Sequence, residues 1–504
     1  MPKRFFWIFC ALILIFAFII RLMPTQNNNF FFTTDQGEDA VNAREFWWRG
    51  QILTKGPETS IPGIFAGPGW YYFISIGYKL FNGHPFGGVF ILIMLSLATT
   101  AVVIWQLSKR VSLNMALLTG AALQIFWPFY ETSRYAFNPF PLVFLAFTEI
   151  LLLCSFLAGQ KKYFYWATLP IILAFNLDLA GAAALFIFYL AVGLWSVVKG
   201  KLAKREFAIF TLVPVIFLLE IGRQFLTVGF KSIGSSNVGI FSGTSFAATL
   251  INFVNILKQS VTPQSLFASL IIVIGVAIKF LLAERNGFKR NFVMLVLTLL
   301  GISYLFFATN KGWRDWHTIY LAPLLFISLI LMVTSFSKKL AVVILTIVFL
   351  SQLTFFQNRY QGDLQISDNP SLLVNQLKAL DWIYENREGD GFNNYNFLAD
   401  SDKDYPYQYL FWWYGRSKYG FVPCEYQNFP YPITSKYTYV PGAEFYSEPH
   451  LGCDKFRFLI IEDNNDVQRQ EKWFAKVTAK TKLLEETKIG KIKIEKRLQI
   501  EKIN

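Results

Sequence analysis

Residues 3–50 read KRFFWIFCALILIFAFIIRLMPTQNNNFFFTTDQGEDAVNAREFWWRG and join a long apolar run to an acidic cluster. The run at 5–23 has about the 20 residues that a helix needs to cross a bilayer. Asp35, Glu38 and Asp39 follow it, close to a pair of tryptophans of the kind that marks a membrane interface. The pattern predicts a membrane helix that leads to carboxylates placed to act on a lipid-borne substrate.

The composition is that of a polytopic α-helical membrane protein. Of the 504 residues, 54% are apolar and only 16% are charged, which is far from a soluble enzyme of this length. We predict about eleven transmembrane helices. The predicted spans are 5–23, 86–107, 113–130, 140–158, 163–177, 179–198, 207–222, 264–283, 291–308, 319–336 and 340–356.

Basic residues fall in alternate loops and set the predicted orientation. Lys3 and Arg4 precede the first span, which is long and lacks a cleavage site, so we expect a retained helix rather than a signal peptide. By the positive-inside rule the basic loops are cytoplasmic, and the loop 24–85 lies outside. We therefore predict a transmembrane domain at 1–356 and an extracytoplasmic C-terminal domain at 357–504.

Charge and cysteine content narrow the class of partner. Juxtamembrane Lys and Arg account for much of the net charge of +14, so we expect membrane lipid, and no nucleic acid, as the partner of this charge. No P-loop, dinucleotide fingerprint or CxxC pair occurs, which argues against ATP-driven transport and the common cofactors. Cys424 and Cys453 both lie in the tail, and the sequence leaves open whether they form a disulfide.

Two short helices are predicted in the loop 24–85. The stretch DAVNAREFWWRG at 39–50 has helical spacing and suits the membrane interface. The stretch PGWYYFISIGYKLF at 68–81 is too short to span and is read as a re-entrant or interfacial helix. Further along the chain, KSIGSSNVGIFSGTSF at 231–246 is either a lid or a plain connection within an outer segment at about 223–262.

The tail is predicted to form a small α/β domain. SLLVNQLKALDWIYENR at 371–387 has the pattern of an amphipathic helix. FRFLIIED at 456–463 and KIGKIKIEKR at 488–497 have the apolar clustering or alternation of strands.

The acidic stretch DQGEDAVNARE at 35–45 resembles the first-loop motif of GT-C superfamily glycosyltransferases, such as lipid A aminoarabinose transferases and protein O-mannosyltransferases. The resemblance covers roughly residues 1–360. Three further pieces are similar to that family in order, namely GPGWYY at 67–72, SRY at 133–135 with Asn138 and Pro139, and the stretch from His317 to Pro323.

The resemblance implies a GT-C-like fold and an integral membrane glycosyltransferase. Such an enzyme transfers a hexosyl or pentosyl group from a polyprenyl-phosphate-linked sugar to a lipid, glycan or protein acceptor at the outer face, usually with inversion. Asp35 stands at the position of the family's catalytic aspartate. Gln36 replaces the family's adjacent glutamate, and acids appear instead at Glu38 and Asp39, so the division of labour among these carboxylates is open.

The chemistry agrees with these residue types. A carboxylate such as Asp35 can accept the proton of an attacking hydroxyl, and a guanidinium can hold the leaving phosphate bidentately. Arg134 and Arg314 are the predicted cations, although each could instead pair with a neighbouring acid or extend to the interface. The predicted acids could hold a divalent cation or simply cap the following helix.

Other predicted substrate-binding residues belong to the family-like pieces. Tyr135 and His317 stand near these arginines in outer turns, and Trp70 and Tyr71 lie in the piece at 67–72. Two other functions stay open. A transporter or flippase of lipid-linked sugars would place ionisable groups at mid-membrane and show repeated halves. A non-catalytic glycan-binding scaffold would use the outer tail.

Overall fold

A computed structural model of the chain describes most of its length. The described residues are 3–59, 61, 63–228, 244–284, 287–309, 314–399, 404–427, 455–463 and 466–500. Cys424 is disulfide-bonded, whereas Cys453 lies outside these ranges, so their predicted pairing stays a prediction. The predicted lid at 231–246 also falls largely outside the described residues.

The described part is mainly helical, with twenty α-helices that we number in chain order. The first ten are α1 Lys3–Leu22, α2 Thr34–Trp47, α3 Gly69–Leu80, α4 Phe86–Arg110, α5 Leu113–Gln124, α6 Trp127–Glu131, α7 Leu142–Leu157, α8 Lys162–Trp166, α9 Thr168–Ala174 and α10 Leu179–Val198. The others are α11 Lys204–Val228, α12 Thr244–Val261, α13 Leu266–Ala283, α14 Gly287–Ala308, α15 Leu321–Val333, α16 Lys338–Leu364, α17 Leu373–Glu385, α18 Tyr405–Leu410, α19 Arg416–Tyr419 and α20 Val467–Val477.

Eight helical segments among the described residues are long and apolar enough to cross a membrane. They correspond to eight of the eleven predicted spans and contain α1, α4, α10, α11, α13, α14, α15 and α16.

The other three predicted spans are shorter or divided. The span at 140–158 is the 16-residue helix α7. The span at 113–130 is interrupted after Gln124, four residues before Pro128, and the span at 163–177 after Trp166, four residues before Pro170. Proline lacks the N–H and clashes with the carbonyl four residues earlier, which accounts for both interruptions.

One helix lies where the sequence predicted an outer polar segment. The prediction for 223–262 was wrong at its end, because Thr244–Val261 forms α12, which packs on α14 and α15. Its apolar residues are interleaved with Thr, Asn, Lys and Gln. These polar residues lower the mean hydropathy of the stretch, so the hydropathy pattern did not indicate a helix.

The predicted C-terminal α/β domain is present as a five-stranded sheet flanked by helices. The strands are β1 Phe392–Phe397, β2 Glu425–Gln427, β3 Phe456–Glu462, β4 Thr481–Ile489 and β5 Ile492–Gln499, in the order β2-β1-β3-β5-β4. Strands β1, β2 and β3 are parallel, and β5 is antiparallel to both of its neighbours. Every residue of β1 and β3 is buried, as expected for parallel strands covered on both faces.

By its contacts the chain divides into two compact units. The first contains residues 1–21, 53–73 and 90–362, and the second contains 22–52, 74–89 and 363–504. The first-loop helix α2 therefore belongs to the same unit as the C-terminal sheet. The predicted domain boundary at 356 stays a prediction.

A buried polar network lies between the sheet and α18 in the second unit. The Asp404 carboxylate accepts hydrogen bonds from the amides of Asn396 and Gln408, and Asn394 donates to the Oδ1 of Asn396 at 2.7 Å. Burial raises the pKa of Asp404 to about 6, although the two amide donors act in the opposite direction.

We expect Asp404 to make the stability of the second unit depend on pH. Its pKa is higher in the folded protein, about 6, than the ordinary value of 3.8, so the folded state binds the proton more tightly. The resulting stabilisation is full below about pH 4 and is lost as the pH rises through 6, a difference of up to about 3 kcal/mol in the free energy of unfolding. Thermal unfolding of the wild type and of Asp404→Asn between pH 4 and pH 7.5 measures it.

The Asp404→Asn variant should lose this part of the pH profile, whereas Glu471→Gln, which changes an exposed carboxyl on α20, should keep it. Parallel profiles for the wild type and Asp404→Asn would contradict the assignment.

Candidate functional site

Helix α2 begins with a capping box that explains the glutamine after Asp35. Thr33 is the N-cap, its backbone N–H donates to the Oε1 of Gln36 at 2.8 Å, and its side chain accepts from the Gln36 backbone. Residues that satisfy the free N–H groups of the first turn stabilise a helix start. Gln36 is thus used for capping, and Asp35 lies in the first turn, where the helix dipole favours a negative charge.

The three predicted acids differ in their access to solvent. Asp35 is exposed, Glu38 is half-buried and Asp39 is only 4% exposed. Burial raises the pKa of Tyr78, and the nearby Tyr409 and Asp39 raise it further, which places Asp39 against the interior of the second unit. Asp35 is therefore the acid of this cluster that a substrate can reach most directly.

The acids of the first loop were predicted either to hold a divalent cation or to cap the helix. Among the described residues no group of three or more His, Cys, Asp or Glu side chains is arranged to hold a metal ion. Asp35 lies in the first turn of α2, as helix capping by acids predicts, and the alternative of a divalent cation stays a prediction.

Helix α2 packs against the start of α18 at a glycine. A Cβ atom at Gly37 would lie 2.4 Å from the backbone nitrogen of Pro406 and 2.7 Å from the carbonyl carbon of Tyr405. Real side chains do not approach a backbone so closely, so only glycine fits here. The backbones of the two helices are therefore in direct contact within one helical turn of Asp35 and Glu38.

The aromatic segment after α18 extends this packing along α2. The Arg44 guanidinium lies over the ring of Trp412, with 4.8 Å from Cζ to the ring centre. Trp47 and Trp48 meet the same ring edge-on at 6.1 and 5.5 Å. Trp412 is thus covered by three side chains of the first loop, and these contacts hold the C-terminal half of α2.

A turn in the first unit brings several of the family-like pieces together. Its residues 175–178 accept and donate hydrogen bonds through both backbone and side chains. The Gly69 N–H donates to the Oδ1 of Asn176 at 3.1 Å, and the Trp70 N–H donates to the Asn176 carbonyl at 3.2 Å. The Asn138 amide donates to the Leu177 carbonyl at 2.6 Å. Two predicted outer segments therefore meet at this turn.

The same turn holds His317. The Nδ1 atom of His317 lies 2.9 Å from the Oδ2 of Asp178, and the ring is stacked on Phe307 with 6.1 Å between ring centres. Asp178 also caps α10 by accepting from the Gly181 N–H at 2.9 Å. A carboxylate on one ring nitrogen fixes the tautomer and direction of the imidazole, so the other nitrogen is directed away from Asp178.

The two predicted arginines of the first unit lie next to aromatic rings. Arg134 is buried and its Cζ is 5.9 Å from the ring centre of Tyr130. Arg314 is exposed and lies 5.9 Å from the ring centre of Trp316.

A chain of aromatic contacts links the turns that carry these arginines. Trp316 meets Phe137 edge-on at 5.8 Å, and Phe137 stacks on Tyr135 at 5.7 Å. The structure therefore brings Tyr135 and the 314–317 turn into one cluster.

Two predicted substrate-binding residues are placed differently. Trp70 is 0% exposed and Tyr71 is 3% exposed, so both rings are packed inside the protein. Their role in substrate binding stays a prediction, whereas their packing in the N-terminal part of α3 is clear.

Sequence reasoning missed Asn176, Asp178 and Gly37 as site-building residues. Asp178 stands immediately before an apolar helix, which is the pattern of an N-cap, but its pairing with His317 depends on tertiary contact. Gly37 interrupts a helical stretch, and a glycine at such a place often marks a close packing contact.

The fold matches known structures of a membrane enzyme. Two crystal structures of ArnT from Cupriavidus metallidurans, one bound to undecaprenyl phosphate and one in the apo state, match 98% of this chain and 98% of their own chains. Their TM-scores are 0.58 and 0.60, both at 11% sequence identity. The chain has the ArnT fold. ArnT is a lipid A aminoarabinose transferase with a GT-C fold, so the predicted GT-C-like architecture is confirmed, and the apolar helices make this chain a multi-pass membrane protein.

Sequence comparison adds less. A protein of Aquifex aeolicus (strain VF5), described as uncharacterized, is 25% identical over 175 residues, which are 34% of this chain and 33% of that protein. No family model matches the chain.

The Gly37 contact gives a test of the packing of α2. We expect Gly37→Ala to destabilise the second unit by about 1–3 kcal/mol, because the added methyl group meets the backbone of Pro406 rather than a movable side chain. Gly362→Ala is a matched control, since Gly362 is also helical but a methyl group added there would meet no neighbouring atom within 4 Å. Thermal unfolding followed by tryptophan fluorescence compares the two variants.

The control should be neutral or slightly stabilising, because alanine is the better helix former. Equal stability of the two variants would show that α2 and α18 do not pack at Gly37.

Proposed function

We propose that the protein is a membrane glycosyltransferase that takes a monosaccharide from a polyprenyl-phosphate donor and transfers it to a lipid, glycan or protein acceptor at the outer face. The observation that carries the proposal is the match of nearly the whole chain to ArnT, a structure of which contains undecaprenyl phosphate. The accessible Asp35, in the first turn of α2 within the family-like motif, supports it.

The proposed reaction is a direct displacement at the anomeric carbon. The acceptor hydroxyl oxygen attacks this carbon and gives its proton to the Asp35 carboxylate. The bond between the anomeric carbon and the phosphate oxygen breaks, and the polyprenyl phosphate leaves with the bonding electrons. Attack from the side opposite to the phosphate inverts the anomeric centre, since no covalent sugar–enzyme intermediate is formed.

The leaving phosphate gains negative charge, and cations stabilise it. Arg134 and Arg314 are the proposed cations, because a guanidinium binds phosphate oxygens bidentately. Their neighbours Tyr130 and Trp316 orient them through ring contacts. His317, held by Asp178, is proposed to bind the phosphate or sugar through its Nε2.

The proposed orientation places residues 24–85 and 357–504 outside the membrane. The basic loops are then cytoplasmic, and the acids of α2 face the compartment in which the acceptor lies. Glu38 and Asp39 are proposed to tune this site rather than to take the proton, because both are less accessible than Asp35.

Replacement of the proposed base tests this function. We expect Asp35→Asn to lower turnover by about 10²–10⁴-fold, because the amide keeps the shape of the side chain but cannot accept the proton. The measurement uses purified full-length protein, radiolabelled polyprenyl-phosphate sugars and membrane acceptors. Glu385→Gln, which alters an exposed carboxyl at the end of α17, should leave turnover unchanged.

Equal turnover by the wild type and Asp35→Asn would remove Asp35 from the role of base. Transfer of intact lipid-linked sugar across vesicle membranes, without formation of product, would identify a transporter instead.

The Asp178–His317 pair makes a separate prediction. Asp178→Asn keeps an oxygen that can cap α10 but loses the negative charge beside the imidazole, so the favoured tautomer and ring direction change. We expect turnover to fall by about 10–100-fold with little change in thermal stability. The control is Asp315→Asn, which changes an exposed carboxyl in the turn that carries His317.

A fall in stability that fully explains the lost turnover of Asp178→Asn would show that Asp178 only caps the helix. Unchanged turnover and stability would show that His317 needs no carboxylate partner.

A further inference from the structure

Arg21 is a buried cation that the proposed reaction has not used. It lies in the last turn of α1 and is 0% exposed. Its Nη1 atom donates to the Ala17 carbonyl at 3.1 Å and to the Oε1 of Gln124 at 2.9 Å. Its Nε and Nη2 atoms are buried and have no hydrogen-bond partner among the described residues.

This guanidinium has no carboxylate partner within the described ranges. Lys289 of the first unit, by contrast, lies 3.2 Å from the Glu284 carboxylate. Besides the two oxygens that Nη1 contacts, the guanidinium faces the rings of Phe129 and Tyr130, whose centres lie 5.5 and 5.6 Å from its Cζ. A buried charge without a counter-ion is costly, and an ionisable group inside a membrane bundle usually serves a ligand.

The unused edge of the guanidinium has the shape of an anion site. Nε and Nη2 are neighbours on one side of the planar group, and their N–H bonds point in parallel. This fork is the one that binds two oxygens of a phosphate or carboxylate at once. Gln124 accepts a hydrogen bond from Nη1 on the opposite edge and is itself held by a bond from its Nε2 to Thr100 at 3.1 Å. These bonds fix the direction in which the Nε–Nη2 fork points.

A small cleft is lined in part by Phe129. Its lining includes Ser96 and Thr99 of α4, Val143 of α7, and Phe129 and Thr132, which lie between these helices in the chain. The Ser96 hydroxyl is buried and has no partner among the described residues. Phe129 therefore both lines the cleft and contacts the Arg21 guanidinium.

We propose that Arg21 binds a lipid-borne phosphate through its Nε–Nη2 fork. The predicted orientation places this end of α1 at the outer side of the membrane, where lipid phosphates lie and where the positive-inside rule disfavours an uncommitted arginine. The assignment of the phosphate to the polyprenyl donor rests on the proposed function. A phospholipid headgroup offers the same chemistry from a second source.

Binding measurements on the purified full-length protein test this site. We expect Arg21→Met to bind undecaprenyl phosphate about 10–100-fold more weakly than the wild type, as for the loss of hydrogen bonds to a charged group. Arg21→Lys keeps the cation but loses the fork, so we expect a weakening in the same direction. Arg359→Gln is the control. Arg359 also lies over aromatic rings, those of Trp127 and Phe355, but it is exposed.

The choice of lipid separates the sources of phosphate. Undecaprenol, which lacks the phosphate, should bind equally to the wild type and both Arg21 variants. A loss confined to undecaprenyl phosphate assigns the site to the donor, and an equal loss for phosphatidylglycerol assigns it to lipid headgroups. Unchanged binding of both phosphate lipids by Arg21→Met and Arg21→Lys would overturn the proposal.

Thermal stability supplies an independent readout. Removal of an unpaired buried charge should leave the melting temperature of Arg21→Met unchanged or raise it. A lower melting temperature together with unchanged lipid binding would mark Arg21 as a purely structural residue. Binding requires no turnover, so Arg21-dependent binding without sugar transfer would refute the glycosyltransferase and keep the lipid-phosphate site.

Discussion

The close approach of two backbones at Gly37 is the constraint on which the second unit depends. Any side chain at this position would push α2 away from Pro406, and the contacts of Arg44, Trp47 and Trp48 with Trp412 require the same spacing. The start of α18 is fixed in turn by Asp404 and its amide partners under the sheet. The acids of the first loop are therefore held by residues from the last third of the chain.

In the first unit, hydrogen bonds hold segments that are distant in sequence. Three segments that are distant in sequence are joined at the turn 175–178, where backbone carbonyls and two side chains supply the partners. Asp178 serves both as the cap of α10 and as the partner of His317. Because one carboxylate both caps the helix and binds the imidazole, the position of the His317 ring is fixed relative to α10.

The sequence predicted much of the architecture because apolar length and charge bias act locally. Eight spans, the α2 and α3 helices and the C-terminal sheet follow from such patterns. The breaks before Pro128 and Pro170 were also readable from proline chemistry, although the hydropathy of the flanking residues masked them. Local patterns could not reveal helix α12, in which polar residues interrupt the apolar face. They also could not reveal the Asp178–His317 pair or the backbone contact at Gly37, since each depends on residues that another element brings near.

Basic residues in this chain divide according to what balances their charge. Most lie near predicted membrane boundaries, where water and lipid headgroups solvate them. Arg359 stacks on aromatic rings but keeps contact with solvent, so its charge costs little. Arg21 has comparable ring contacts without the solvent, and ring quadrupoles alone offset only part of the desolvation of a guanidinium. A chain that retains such a charge in its folded state gains from it only when an anion is present, and lipid phosphate is the anion found at the membrane depth predicted for Arg21.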